Sequence, residues 1–178
     1  LVANNAVYTY TYDALGRTTK ETQPDGLSTQ YQYDSVGNTI AKIDQSGRQT
    51  KYTYDALRRT TSTVDAMGNE TKLAYGVSGN LASLTSPKGN VTSYTYDKID
   101  RLTRVTDPVK ATETYTYDGV GNVLSYSLNG KRTTSYAYDK VGNMTKQTNA
   151  AGNKKTLAYD VLNRLSSETD FKGKAITY

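Results

Sequence analysis

Aspartate is the side chain with the most evident capacity for chemistry in this sequence, and seven copies follow a fixed spacing. They are Asp13, Asp34, Asp55, Asp97, Asp118, Asp139 and Asp160. Paired carboxylates can hydrolyse glycosides by acid–base and nucleophilic catalysis. Because these acids recur at the same place in a repeated motif, the spacing instead indicates one structural role copied many times. We therefore predict no catalytic residue and no enzymatic activity.

The remaining residue types exclude several other kinds of site. The sequence contains no His and no Cys, so Ser-His-Asp and Cys-His catalysis and most zinc sites are excluded. The glycines stand alone in turns rather than in a phosphate-binding loop. Each Asp-x-x-Gly segment offers one acid, whereas calcium takes about six to eight oxygen ligands. We predict neither a metal nor a cofactor.

The acids belong to a 21-residue repeat that runs through the chain without insertion or deletion. Each follows a tyrosine of a regular series, the frame tyrosines: Tyr12, Tyr33, Tyr54, Tyr75, Tyr96, Tyr117, Tyr138 and Tyr159. The repeated motif is Y-x-Y-D-x-x-G-R/N, with turn glycines that include Gly16, Gly37, Gly121 and Gly142. A period of this length is typical of units that bury a face only by stacking on their neighbours.

Each repeat predicts two strands and two turns. Alternation places Thr29, Tyr31 and Tyr33 on one face of a strand and the intervening polar residues on the other. Asp-x-x-Gly is a turn motif, because the carboxylate accepts backbone N–H bonds and glycine permits a positive φ. A second turn follows about ten residues later. All three prolines occupy its second position, at Pro24, Pro87 and Pro108.

The first turn also predicts a register. A type I turn with a glycine bulge is the expected connection. It pairs Asp13 with Arg17, Tyr12 with Thr18, Tyr96 with Leu102 and Tyr159 with Leu165. Side chains alternate between the two faces of a strand, and the repeat has an odd number of residues, 21. The tyrosines of successive repeats can therefore share one face only if one loop has an odd and the other an even number of residues, or if a bulge adds a residue. We predict that the loop of the second turn has the even number.

Composition limits the class of protein further. Tyrosine occurs 17 times, Phe once and Trp never; aromatic residues on a strict frame indicate order, since disordered segments avoid them. No apolar run approaches the roughly 20 residues of a membrane helix, and no signal peptide begins at Leu1. The net charge of +5 is spread over turn positions. We therefore predict no membrane span and no nucleic-acid binding.

The motif and its period resemble the Rhs/YD-repeat family, as in YTYDALGR, YQYDSVGN, YTYDGVGN and YAYDKVGN. The resemblance covers residues 8–178. That family includes bacterial polymorphic toxins, Tc-type toxin subunits, wall-associated proteins and teneurins, in which long arrays spiral into a hollow β-shell. In the toxin members the shell encloses a C-terminal toxic polypeptide. The self-cleaving segment and variable effector that follow the array in those toxins are not visible in this sequence.

Motif and resemblance together predict an all-β fold of repetitive antiparallel β-hairpins, two strands per repeat. The hairpins are expected to form a curved or spiralling single sheet, part of a hollow β-shell. Residues 1–178 are expected to be an array of about eight repeats from a longer array, with the neighbouring repeats as partners. The implied function is that of a structural scaffold enclosing a toxin or effector polypeptide, in a bacterial protein that is secreted or at the cell surface.

Two alternatives remain open at this point. The first is an extracellular adhesion or carbohydrate-binding module, whose tyrosines would be exposed in a groove to stack on sugar rings. The second is a self-assembling extracellular filament, formed when the edge segments Tyr8–Tyr12 and Ala175–Tyr178 associate with other copies.

Overall fold

The computed structural model describes residues 7–178, whose regular structure is entirely β-strand. The strands are β1 (Thr9–Tyr12), β2 (Thr18–Thr22), β3 (Ser28–Tyr33), β4 (Thr39–Ile43), β5 (Gln49–Tyr54), β6 (Thr60–Val64), β7 (Glu70–Tyr75), β8 (Leu81–Thr85), β9 (Val91–Tyr96), β10 (Leu102–Thr106), β11 (Thr112–Tyr117), β12 (Val123–Leu128), β13 (Arg132–Tyr138), β14 (Met144–Thr148), β15 (Lys154–Tyr159), β16 (Leu165–Thr169) and β17 (Ala175–Thr177). Within residues 7–178 no helix is long and apolar enough to cross a membrane.

The described chain divides into two compact units. The first comprises the residues up to Tyr75 together with Ser83–Asn90, and in it β1 to β7 pair antiparallel in chain order. The second comprises Gly76–Ala82 and Val91–Tyr178, where β9 to β17 pair in the same way. Strand β8 contributes residues to both. The predicted all-β fold of antiparallel hairpins, with two strands per repeat, is confirmed.

The strands form where polar and semi-polar residues alternate. In β3, Thr29, Tyr31 and Tyr33 are half-buried while Gln30 and Gln32 are exposed, as the alternation predicts. Tyrosine and threonine suit such a surface because their side chains pack against cross-strand neighbours. We call the side that carries the strand tyrosines the tyrosine face, and the opposite side the polar face.

The predicted register of the first turn is confirmed. The Asp13 N–H donates to the Arg17 carbonyl at 2.9 Å, the Gly16 N–H donates to the Asp13 carbonyl at 3.0 Å, and Tyr12 pairs with Thr18. The glycine has a φ of 76°, a left-handed conformation that costs other residues energy. Tyr96 and Leu102 pair in the same way in a later repeat, as do Tyr159 and Leu165.

The prediction that the second turn has an even count is wrong. Gln23 and Leu27 close the second turn with the same two backbone bonds as the first, so that both loops contain three residues. A bulge beside the first turn keeps the tyrosines on one face instead. Tyr12 pairs with Thr18 but Thr11 pairs with Lys20, which leaves Thr19 as an extra, unpaired residue in the strand. The same register shift accompanies the first turn of the other hairpins whose register is defined. Because both turns use the same three-residue loop, the compensating residue has to lie in a strand.

Neither face of the sheet contains a conventional core. The buried residues of the described chain are Ala41, Ser62 and Ser127, and all three lie on the polar face. Ala41 is 3% exposed because it lies between Gln32 and Lys51 on the adjacent strands, whose longer side chains flank it. Burial in this fold therefore comes from cross-strand neighbours rather than from a second layer.

Candidate functional site

The aspartate after each frame tyrosine caps its own turn. The Asp13 carboxylate accepts backbone N–H bonds from Leu15 and Arg17 through Oδ1, each at 2.9 Å. Its Oδ2 accepts the Arg17 Nε–H at 2.6 Å. All seven predicted aspartates repeat this pattern of two backbone donors and one side-chain donor.

The carboxylate also explains why the fourth residue after it is either Arg or Asn. In the second repeat the Asn38 Nδ2 donates to Asp34 Oδ2 at 2.8 Å, in the place taken by the Arg17 guanidinium in the first. Either residue supplies an N–H within reach of Oδ2, so the cap is preserved. Arg17 also extends over the ring of Tyr33 in the next repeat.

Hydrogen bonding lowers the pKa of these carboxyl groups. For Asp55 the main causes are the Arg59 guanidinium and then its backbone N–H, which together outweigh the opposing effect of desolvation on the pKa. For Asp160 the backbone N–H of Arg164 comes first, followed by its guanidinium. The acids are thus held in the charged, acceptor-only form that the turn requires.

The frame tyrosines join each repeat to the one before it. From Tyr33 onward, each hydroxyl donates to the backbone carbonyl of the residue 15 positions earlier, in the preceding repeat. The bonds are Tyr33 to Thr18, Tyr54 to Thr39, Tyr75 to Thr60, Tyr96 to Leu81, Tyr117 to Leu102, Tyr138 to Val123 and Tyr159 to Met144, at 2.7–3.1 Å. These seven tyrosines are half-buried, whereas Tyr12 is 60% exposed.

The capping arginines complete the same junction. The Arg17 guanidinium lies 4.7 Å from the centre of the Tyr33 ring, and its Nη1 donates to the Asp34 carbonyl at 2.9 Å. Arg101 makes the corresponding two contacts with Tyr117 and Asp118, at 4.7 and 2.7 Å. Arg59 lies 4.4 Å over the Tyr75 ring. We call the bonded frame tyrosine and, where present, the arginine over its ring the inter-repeat clamp.

The copies that depart from the motif use other contacts. Gly76 replaces the aspartate of the fourth repeat, and the freed Asn80 amide donates to Asp100 of the next repeat at 2.6 Å. Asp100 occupies a glycine position with a φ of 64°, as Arg58 and Asn163 do with a φ of 61°. Asn143 reaches Asn163 in the same way, at 3.1 Å.

The structure brings the predicted tyrosines, aspartates and turn glycines into one continuous arrangement within each repeat. Sequence reasoning paired frame tyrosines with a Thr or Leu partner across the first turn. It did not foresee the hydroxyl bond, or that an arginine would contact the next repeat. The constant Arg or Asn after the glycine was the available signal, because a position restricted to two side chains with N–H donors indicates an acceptor within reach.

The arrangement is suited to holding turns and repeats together. Each motif carboxylate already accepts at least three N–H bonds, so it is not free to act on a substrate. Among residues 7–178 no group of three or more His, Cys, Asp or Glu side chains is placed to hold a metal ion. The chemistry of the site is hydrogen bonding and arginine–tyrosine stacking, copied along the chain.

Comparison with known families gives a match over most of the chain. The family described as RHS Repeat matches overlapping segments at residues 3–29, 12–38, 33–70, 75–112, 96–131, 117–154 and 138–175. No curated protein matches the sequence.

Solved structures share the fold at low sequence identity. The TcdB2–TccC3–Cdc42 crystal structure matches with a TM-score of 0.72 and 18% identity, over 90% of this chain and 10% of that one. A mutant Tc holotoxin pore of Photorhabdus luminescens gives 0.72 and 15%, over 92% and 11%. TcdB2–TccC3 without its hypervariable C-terminal region gives 0.73 and 15%, also over 92% and 11%. The chain thus spans about a tenth of the length of these proteins.

Proposed function

The chain belongs to the RHS Repeat family, and from that premise we propose that it forms a stretch of wall in a hollow β-shell that encloses a toxin or effector polypeptide. Its role is that of a scaffold, without catalysis of its own, and the array of about eight repeats is part of a longer one. The protein is bacterial and acts outside the cell or at its surface.

The observation that carries this proposal is the inter-repeat clamp. A wall must hold together without a core beneath it, and here each repeat is fixed to the one before by a tyrosine hydroxyl bond and, in several repeats, by an arginine. The same bond recurs in seven repeats with donor–acceptor distances within 0.4 Å of one another. A uniform junction of this kind allows further repeats to be added without any new contact being required.

The structural neighbours support the proposal by analogy. One of them is TcdB2–TccC3 without its hypervariable C-terminal region, and another is a Tc holotoxin pore with a mutation in TccC3. Those descriptions concern those proteins, and the likeness to this chain is one of fold. A role in a toxin assembly is the extension that we propose.

The clamp also bears on the carbohydrate-binding alternative. Stacking on a sugar requires an open ring face. An arginine lies over one face of each of the Tyr33, Tyr75 and Tyr117 rings, and the hydroxyls of these tyrosines are bonded to the backbone. These contacts favour a packing role for the frame tyrosines over glycan recognition.

A protease-protection experiment on the intact protein that carries these repeats tests the proposal. The protein is purified natively, treated with a broad-specificity protease, and then analysed by denaturing mass spectrometry. We expect a second, separate polypeptide to survive digestion and to become degradable once the shell is opened with denaturant. A single covalent chain with no protected polypeptide would overturn encapsulation, and filament formation would then have to be tested.

A further inference from the structure

The charges of this chain are distributed unevenly among turns and faces. Outside the strands, 13 aspartates are matched by 13 lysines and arginines, so the turns are neutral as a whole. The strands contain nine basic residues and four glutamates. The whole net charge of +5 therefore resides on strand residues.

The two faces of the strands differ in charge. On the tyrosine face three basic residues are balanced by three acidic ones: Lys42, Arg132 and Lys155 with Glu21, Glu113 and Glu168. The polar face carries six basic residues and one acidic residue: Lys20, Lys51, Lys72, Arg104, Lys146 and Lys154 with Glu70. The excess of positive charge thus belongs entirely to the polar face.

Most of these cations are available to a partner. Lys51, Arg104, Lys146 and Lys154 are exposed, and Lys72 is exposed but paired with Glu70. The acid of this face, Glu70, is already engaged by Lys72 at 3.2 Å and by the Ser62 hydroxyl at 2.8 Å. In the first unit a groove of about 490 Å³ opens beside Lys51 and Arg48. The Asp65 carboxylate at its rim is occupied by the N–H groups of its own turn.

We propose that the polar face of each unit is a docking surface for an acidic polypeptide segment. Charge complementarity selects an anionic partner, and the groove beside Lys51 and Arg48 offers room for part of an extended chain. Nucleic acid is disfavoured, because single-strand binding combines cations with aromatic stacking platforms and every strand tyrosine lies on the other face. The proposal goes beyond the scaffold role and does not depend on whether a shell closes.

Binding of a fluorescent poly-L-glutamate peptide to the full chain tests this assignment. One variant replaces the exposed cations of the polar face by glutamine: Lys51→Gln, Lys72→Gln, Arg104→Gln, Lys146→Gln and Lys154→Gln. A matched control replaces five exposed turn lysines: Lys88→Gln, Lys98→Gln, Lys131→Gln, Lys140→Gln and Lys172→Gln. Both variants lose the same charge, so only the position of the cations differs between them.

We expect the polar-face variant to bind the peptide about tenfold more weakly at low salt, and the turn variant less than about twofold more weakly. Equal losses would overturn the proposal, since net charge alone would then explain the binding. Tighter binding of a single-stranded oligonucleotide or of vesicles containing phosphatidylserine than of poly-L-glutamate would also overturn it.

A second measurement on the unaltered chain keeps the test decisive if a variant fails to fold. Lysine acetylation is followed by mass spectrometry with and without the peptide. We expect protection at Lys51, Lys72, Lys146 and Lys154 and none at turn lysines such as Lys98. Uniform protection, or none, would contradict a docking surface on the polar face.

Discussion

At the scale of the residue, the aspartate of the repeated motif is defined by its hydrogen bonds rather than by reactivity. One oxygen of Asp97 accepts the N–H groups of Ile99 and Arg101, and the other accepts the Arg101 guanidinium. A neutral side chain could supply part of this pattern, but a carboxylate makes the stronger, charge-assisted bonds. The repetition of one acid along the chain is thus the repetition of one cap.

The turn that lacks this acid provides a direct test of the cap. Gly76 does not adopt a positive φ, and an added Cβ would contact only the Asn80 carbonyl, at 3.8 Å. Gly76→Asp should therefore raise the free energy of unfolding by about 1–2 kcal/mol, since it restores the cap and restricts the unfolded chain. Gly76→Ala, which only restricts the unfolded chain, should gain about half as much. Urea denaturation measures both, and an Asp variant no more stable than the Ala variant would contradict the capping role.

Backbone strain at a glycine position gives a second residue-scale prediction. Arg58 has a φ of 61° where most repeats have glycine. A left-handed conformation costs a non-glycine residue about 1–2 kcal/mol, partly offset by the greater freedom of unfolded glycine. We expect Arg58→Gly to stabilise the chain by about 0.5–1 kcal/mol and Arg58→Ala to give no gain. Thermal melting of the three proteins decides between a backbone effect and loss of the arginine side chain.

The lowered pKa of the turn carboxyls predicts sensitivity to acid. A carboxyl group with a lower pKa in the folded state than in the unfolded state binds protons less readily when folded. Its contribution to stability is therefore complete above the ordinary aspartate value of about 4, and is lost as pH falls through the folded-state value. Asp13, Asp55 and Asp160 all carry such lowered pKa values.

The urea midpoint should accordingly be nearly constant from pH 7 to pH 5 and should fall below about pH 4. A variant with Asp13→Asn, Asp55→Asn and Asp160→Asn should be less stable at neutral pH and should lose less on acidification. A parallel decline in both proteins would mean that other groups control the acid response.

At the scale of the element, the hairpin was predictable from sequence in all but one respect. Alternation of Thr and Tyr located the strands, and Asp-x-x-Gly located both turns and the register of the first. The bulge at Thr19 was not predictable, because no special residue marks it. Its only trace in the sequence is the odd length of the repeat, which a bulge and an even loop explain equally well.

The tyrosine hydroxyl bond is the contact that joins one hairpin to the preceding one. Tyr138 donates to the Val123 carbonyl at 3.0 Å, so Tyr138→Phe should lower the free energy of unfolding by about 1 kcal/mol. Tyr136 lies two residues earlier on the same strand and face but takes no part in the clamp. Tyr136→Phe is therefore the matched control and should be nearly neutral. Equal losses in the two variants would show that the hydroxyl bond contributes nothing specific.

At the scale of the whole molecule, the repeat explains why so polar a chain folds. A chain with one Phe and no Trp is held together by the same tyrosine hydroxyl bond between successive repeats, rather than by a shared hydrophobic core. The sequence indicated the family and the position of each turn. It did not indicate the arginine–tyrosine contacts, because residues 16 positions apart meet only once strand pairing and the bulge are fixed. Both β1 and β17 are exposed at every residue, and their association with other strands stays a prediction.

Electron microscopy of the intact protein that contains these repeats is the decisive experiment for enclosure by a shell. We expect a hollow particle, walled by successive hairpins at the spacing of a β-sheet, with additional density for a separate polypeptide inside. An open or filamentous particle with no enclosed density would contradict it, and the repeats would then have to be explained as an adhesive or self-assembling surface.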